Sequence, residues 1–177
     1  MYTGLMHPLL QKLTGGDRRS IGDVESVIRN VKAKPDLFSI LIDGLSVVDP
    51  LVRMRAADAI EKISVDHPEL LQPFKKQILH IAYNSHQQEV RWHVAQILPR
   101  LKLTPPKKAE AVEILFDYLT DKSKIVVTFS LQALSEFAVE DPKLRPRVVE
   151  VLKERVAKGS PAIRNRGQKL LEKLSTL

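Results

Sequence analysis

The stretch DPLVRMRAADAIEKI, residues 49–63, decides the fold. Asp49 closes a short turn, LSVVD, and behind it Val52, Ala56, Ile60 and Ile63 stand at offsets 0, 4, 8 and 11. That spacing gathers side chains on one face of a helix. The same frame fits three more segments without a gap. Val90, Val94, Leu98 and Leu101 fill it, then Val126, Ser130, Leu134 and Phe137, then Ile163, Gly167, Leu171 and Leu174. A fainter copy runs through Ser20, Val24, Ile28 and Val31, behind a turn LTGGD that ends at Asp17. Successive frames start 32, 38, 36 and 37 residues apart.

A second helix precedes each of these. Pro8, Pro35, Pro68, Pro105 and Pro142 head similar segments, as in KPDLF at 34–38, HPELL at 67–71 and DPKLR at 141–145. Proline suits a first helical turn, where the amide it lacks has no partner to lose. The apolar periodicity predicts these first helices over 8–13, 36–45, 69–83, 107–119 and 143–157. Five hairpins follow, spanning about 1–33, 34–67, 68–104, 105–141 and 142–177. One hairpin cannot bury its apolar face alone, whereas stacked copies share a continuous core. The expected architecture is an all-α, right-handed α-α superhelix in one domain over 1–177.

The run Asp49, Pro50, Leu51, Val52, Arg53, with Ala56, Ala57, Ala59 and Ile60 behind it, resembles the HEAT repeat. In that family a turn aspartate and an arginine early in the second helix form a ladder between repeats. Arg53, Arg91 and Arg164 match the arginine and Val127 departs from it. Asp49 and Asp17 match the aspartate, while Gln87, Ser123 and Ser160 replace it. The resemblance implies a solenoid whose second helices line a concave groove.

Composition narrows the function classes. The chain has 177 residues, 44% apolar and 28% charged, with no cysteine, so disulfide and thiol chemistry drop out. Its start lacks a secretory pattern, and no run of about 18 apolar residues suits a membrane span. We therefore expect a cytoplasmic protein. From Pro142 onward ten basic residues face three glutamates, so the whole net charge of +7 lies in the last hairpin. Two readings stand: the polar outer face that a terminal repeat needs, and an electrostatic footprint for nucleic acid or an acidic protein.

Motifs for chemistry are missing. The five histidines form no i, i+4 pair and no His-Glu-x-x-His, and neither phosphate-loop pattern nor Gly-x-Ser-x-Gly occurs. No metal, cofactor or catalytic residue is assigned. Asp58 and Glu61 read as a solvated ion-pair face beside Arg55 and Lys62.

Trp92, the one tryptophan, is the most informative side chain. At 100° per residue it points about 170° from the apolar face of its helix, toward the expected groove. Met54 holds the equivalent place one repeat earlier. Asp58, Gln96, Gln132 and Lys169 share a neighbouring place, and Arg55, His93, Arg100, Arg166 and Lys173 flank one edge. Trp92 is either the aromatic anchor of a groove or packing against the next helix. Pro99 either bends its helix or ends it early.

The expected function is a non-catalytic scaffold that receives a protein partner, with an acidic segment favoured by the basic last hairpin. The alternative is nucleic-acid binding, prompted by a resemblance to DNA glycosylases built from HEAT-like repeats. There Trp92, Asp58 and Arg55 or Arg100 would be the matching residues. At the level of repeats alone, the chain also resembles HEAT-like chromophore lyases.

Overall fold

The computed structural model describes residues 6–17 and 19–177, and every regular element among them is helical. Contacts group the chain into two compact units, one ending at Leu101 and one beginning at Lys102.

The first unit holds three hairpins. They are α1 (Pro8–Gln11) with α2 (Val24–Ala33), α3 (Phe38–Gly44) with α4 (Pro50–Asp66), and α5 (Lys75–Asn84) with α6 (Gln88–Ile97). The second helices stack directly, α2 on α4 and α4 on α6, while α3 and α5 each back onto their own partners. The second unit pairs α7 (Pro105–Tyr118) with α8 (Lys124–Glu140) and α9 (Arg145–Lys158) with α10 (Pro161–Ser175), and there α8 stacks on α10.

The apolar frame is the core. Its positions on α4, on α6 with the turn that follows, and on α8 are all buried. Each large aliphatic side chain among them contributes about 1.5–3 kcal/mol. On α10 the frame slips by one residue: Leu170 turns inward while Leu171 is only half-buried. Gly167 leaves room for α9, since a Cβ there would sit 2.7 Å from Val156 Cγ2.

Helix starts differ from expectation in three places. The first helices of hairpins two and three open as 3₁₀ turns, Pro35–Leu37 and Pro68–Phe74, before α3 and α5 begin. Pro73 inside the second turn helps explain this, because it withholds an amide an α-helix would use. Pro142 heads a turn, and α9 starts at Arg145 with Pro146 in its first turn. Pro99 ends α6 early: the α-helix stops at Ile97 and one 3₁₀ turn, Leu98–Arg100, carries the chain out.

The turn residues aligned with the HEAT aspartate behave unlike a carboxylate ladder. Asp49, Ser123 and Ser160 cap their own helices, accepting from the amides of Leu51, Val126 and Ile163. Gln87 bridges repeats through its side chain: its Oε1 accepts from Arg53 Nε at 2.9 Å and its Nε2 donates to the Pro50 carbonyl at 2.8 Å. The amide thus does the work of the aspartate. Arg91 Nε donates to the Ser85 carbonyl at 2.6 Å.

The loop between α1 and α2 is closed by a residue of the next repeat. Arg55 of α4 is 1% exposed, and its five N–H groups donate to four loop carbonyls. Nη1 reaches Leu13 and Gly15 at 2.7 Å each, Nη2 reaches Asp17 at 3.0 Å and Ser20 at 2.9 Å, and Nε reaches Ser20 at 3.1 Å. Gly15, Gly16 and Gly22 take positive φ to wrap the backbone around it. A Cβ on Gly22 would lie 3.1 Å from Arg55 Nη1, so that glycine is required for space as well as for φ.

Candidate functional site

In the first unit the outer surfaces of α4 and α6 carry the predicted residues. Met54 and Trp92 occupy the same frame position on these stacked helices, and both are half-buried. The Trp92 ring leans on its neighbour His93, with centroids 5.6 Å apart and planes tilted by 57°. Gln96 Nε2 donates to the Trp92 carbonyl at 3.1 Å. Trp92 is therefore partly packed and partly presented.

Beside it runs a charged seam. Lys62 Nζ lies 3.0 Å from Asp58 Oδ2 and 3.9 Å from Glu25 Oε1. His93 Nε2 sits 3.9 Å from Asp58 Oδ1, and its Nδ1 is buried with no partner among the described residues. Burial pulls the His93 imidazole below its ordinary value, against the upward pull of Asp58 and Glu61. A neutral ring follows, consistent with desolvation disfavouring the charged form.

Two predicted groove residues are occupied elsewhere. Arg55 faces inward and is spent on the α1–α2 loop, so it leaves the groove set. The four loop carbonyls take up the whole guanidinium. Arg100 Nη2 donates to Glu61 Oε1 at 2.6 Å, and Nη1 to the Glu61 carbonyl and Ser64 Oγ at 2.7 Å each. With Asp58 held by Lys62, the aspartate and arginines of the glycosylase comparison are all engaged in structural contacts.

The second unit brings together Gln132 and Arg166, whose Nη1 donates to Gln132 Oε1 at 2.9 Å. Lys169 and Lys173 follow Arg166 along one flank of α10, and all three are exposed. Lys169 and Lys173 form no ion pair among the described residues. Three arginines of the basic hairpin are engaged in contacts of their own. Arg147 grips Glu113 with both terminal nitrogens and stacks 3.6 Å over the Phe116 ring. That grip lowers the Glu113 carboxyl and raises the guanidinium. Arg145 caps α8 through the carbonyls of Ala138 and Val139, and Arg155 donates to the Leu119 carbonyl at 3.0 Å.

Sequence reasoning missed two clefts, both between the leading ends of successive first helices. One, of about 460 Å³, lies in the first unit between the 3₁₀ turns at Pro35 and Pro68; the other, of about 550 Å³, lies between α7 and the start of α9. The sequence signal is the Pro-charge-Leu triplet of KPDLF, HPELL and DPKLR, which sets a charge on each rim. Among the described residues no group of three or more His, Asp or Glu is placed to hold a metal ion, and no helix is long and apolar enough to cross a membrane.

No protein-family model matches the sequence, and the search of curated proteins returned no match. Among solved structures, an engineered protein superposes with a TM-score of 0.67 at 21% identity, over 95% of this chain and 78% of its own. Computationally designed armadillo repeat proteins for modular peptide recognition give 0.58 at 14% identity, over 96% and 87%. The fold is that of the armadillo-like helical repeats. It comprises paired helices in successive copies, and the engineered and designed neighbours share it.

Proposed function

We propose that this protein is a non-catalytic, HEAT-like repeat scaffold that binds a protein partner along its second helices. The observation that carries the reading is the row of half-buried Met54 and Trp92 on stacked α4 and α6. An amphipathic aromatic kept at the surface of a rigid stack is the kind of side chain that dominates interface energetics. Gln96 and Gln132 supply hydrogen-bonding groups within their own units. The free Lys169 and Lys173 on α10 favour an acidic stretch in the partner. The designed neighbours, described as made for modular peptide recognition, support the same use of such a fold.

The test is an affinity capture from the protein's own cells, comparing the parent chain with Trp92→Ala and with Lys169→Glu/Lys173→Glu. We expect Trp92→Ala to lose specific partners and the charge reversal to lose the acidic ones. An unchanged partner set in Trp92→Ala refutes the groove. Duplex and single-stranded DNA titrated at two salt concentrations tests the rival reading. Tight, steeply salt-dependent binding would favour nucleic acid over protein.

A further inference from the structure

The cleft between the 3₁₀ turns of hairpins two and three is unlike its counterpart in the second unit. Its walls are Pro35, Phe38, Leu70, Pro73 and Phe74. Phe38 and Phe74 meet with ring centroids 6.1 Å apart, tilted by 48°. Its rim carries Asp36 and Glu69, both exposed and each directly after the leading proline of its hairpin. No cationic side chain lines it. Asp36 makes no ion pair among the described residues, and Glu69 has only His67 beside it, Nδ1 to Oε1 at 3.1 Å. The Glu69 backbone amide helps keep its carboxyl ionised, lowering it below the ordinary range.

In the equivalent cleft of the second unit, two of the three lining carboxylates have a cation, and the third, Asp141, accepts from the Lys143 backbone amide at 3.0 Å. Glu113 is gripped by Arg147 and Glu140 lies 3.4 Å from Lys108 Nζ, while Lys143 stands where Glu69 stands in the other. In a chain with net charge +7, the first cleft is thus a local concentration of uncompensated negative charge over an apolar, aromatic floor.

We infer that this cleft docks an extended basic segment of a partner protein, seating one arginine or lysine side chain with its apolar neighbours. The reasoning is charge complementarity joined to shape. A long cationic side chain offers an aliphatic stem to Phe74, Leu70 and the prolines and a charged head to Asp36 and Glu69. An arginine head also gains from lying against an aromatic face. A volume of about 460 Å³ falls in the range of sites that enclose a small ligand, which matches one large side chain and parts of its flanks. The surface belongs to the leading ends of the first helices, so it is separate from the groove proposed above.

The experiment is an amide NMR titration of the labelled full chain with the peptide acetyl-Leu-Arg-Pro-Leu-amide, and with the same peptide carrying glutamine for arginine. We expect saturable shifts at backbone amides of residues 36–39, 69–72 and 74. Binding of the glutamine peptide should be about two- to fivefold weaker per carboxylate engaged, the range of an exposed ion pair. In Asp36→Asn/Glu69→Gln the two peptides should bind alike, while Trp92→Ala should titrate as the parent does. Absence of shifts at these amides with millimolar peptide overturns the inference. So does equal affinity of the parent for the two peptides. Concentration-dependent broadening of the same amides without peptide also overturns it, because the occupant is then a second copy of the chain.

Discussion

Replacing Arg55 by alanine should unfasten the first hairpin. The side chain is 1% exposed and satisfies carbonyls of Leu13, Gly15, Asp17 and Ser20. Gly15, Asp17 and Ser20 are exposed residues, so their carbonyls can rehydrate once the guanidinium is gone. The Leu13 carbonyl belongs to a fully buried residue, and leaving it unpaired costs about 1–3 kcal/mol. Deleting the buried aliphatic stem adds roughly 2 kcal/mol, at about 0.8 kcal/mol per methylene. The sum is about 3–5 kcal/mol for Arg55→Ala. Arg55→Met keeps the stem and should lose only the first part, about 1–3 kcal/mol. Urea unfolding of both variants measures the totals, and hydrogen exchange over residues 13–23 localises the loss. If Arg55→Ala costs less than about 1 kcal/mol and leaves that exchange unchanged, the loop is not held by Arg55.

Three further outcomes follow from the packing. Arg100→Ala strands a largely buried Glu61 carboxylate, whose side chain is 14% exposed. It should cost about 1–3 kcal/mol, between surface and buried ion pairs, and a double-mutant cycle with Glu61→Gln in urea should show positive coupling. His93 is harder to protonate in the folded chain than unfolded, so its contribution is complete above pH 6.5 and is lost as pH falls from there toward the depressed folded value. Its share of the stability slope is at most about 1.4 kcal/mol per pH unit, and His93→Gln should remove that share from unfolding curves between pH 5 and 7, by the same linkage. Gly44→Ala puts a Cβ 2.9 Å from Leu10 Cδ2 and 3.0 Å from Ala56 Cβ. Overpacking of about 1–3 kcal/mol should outweigh the roughly 1 kcal/mol gain in helix propensity, so a higher melting temperature for this variant contradicts the packing.

What was legible in the sequence was whatever repeats along one helix. The offsets of Val52, Ala56, Ile60 and Ile63 name the buried face directly, and each later frame does so again until α10, where Leu170 replaces Leu171. What was not legible comes from contacts made at long range. Arg55 and Arg100 look alike on a helical wheel, as edge cations, yet their partners lie 35–42 and 36–39 residues away in a loop and on the preceding second helix. Nothing in their spacing chooses between solvent and those partners. The position of Trp92 on its helix fits both an anchor and packing, and its half-burial shares both characters. The clefts escaped because each wall belongs to a different repeat, although the Pro-charge-Leu triplets already carried their rim charges.

Arg53 with Gln87, and Arg166 with Gln132, tie each helix to its neighbour across the same 34 positions. In both rungs the acceptor is a carboxamide, which has no proton to take up in mildly acidic water. A carboxylate ladder would weaken as its rungs are neutralised one by one. These two straps carry no titratable acceptor, so acidification leaves both rungs intact.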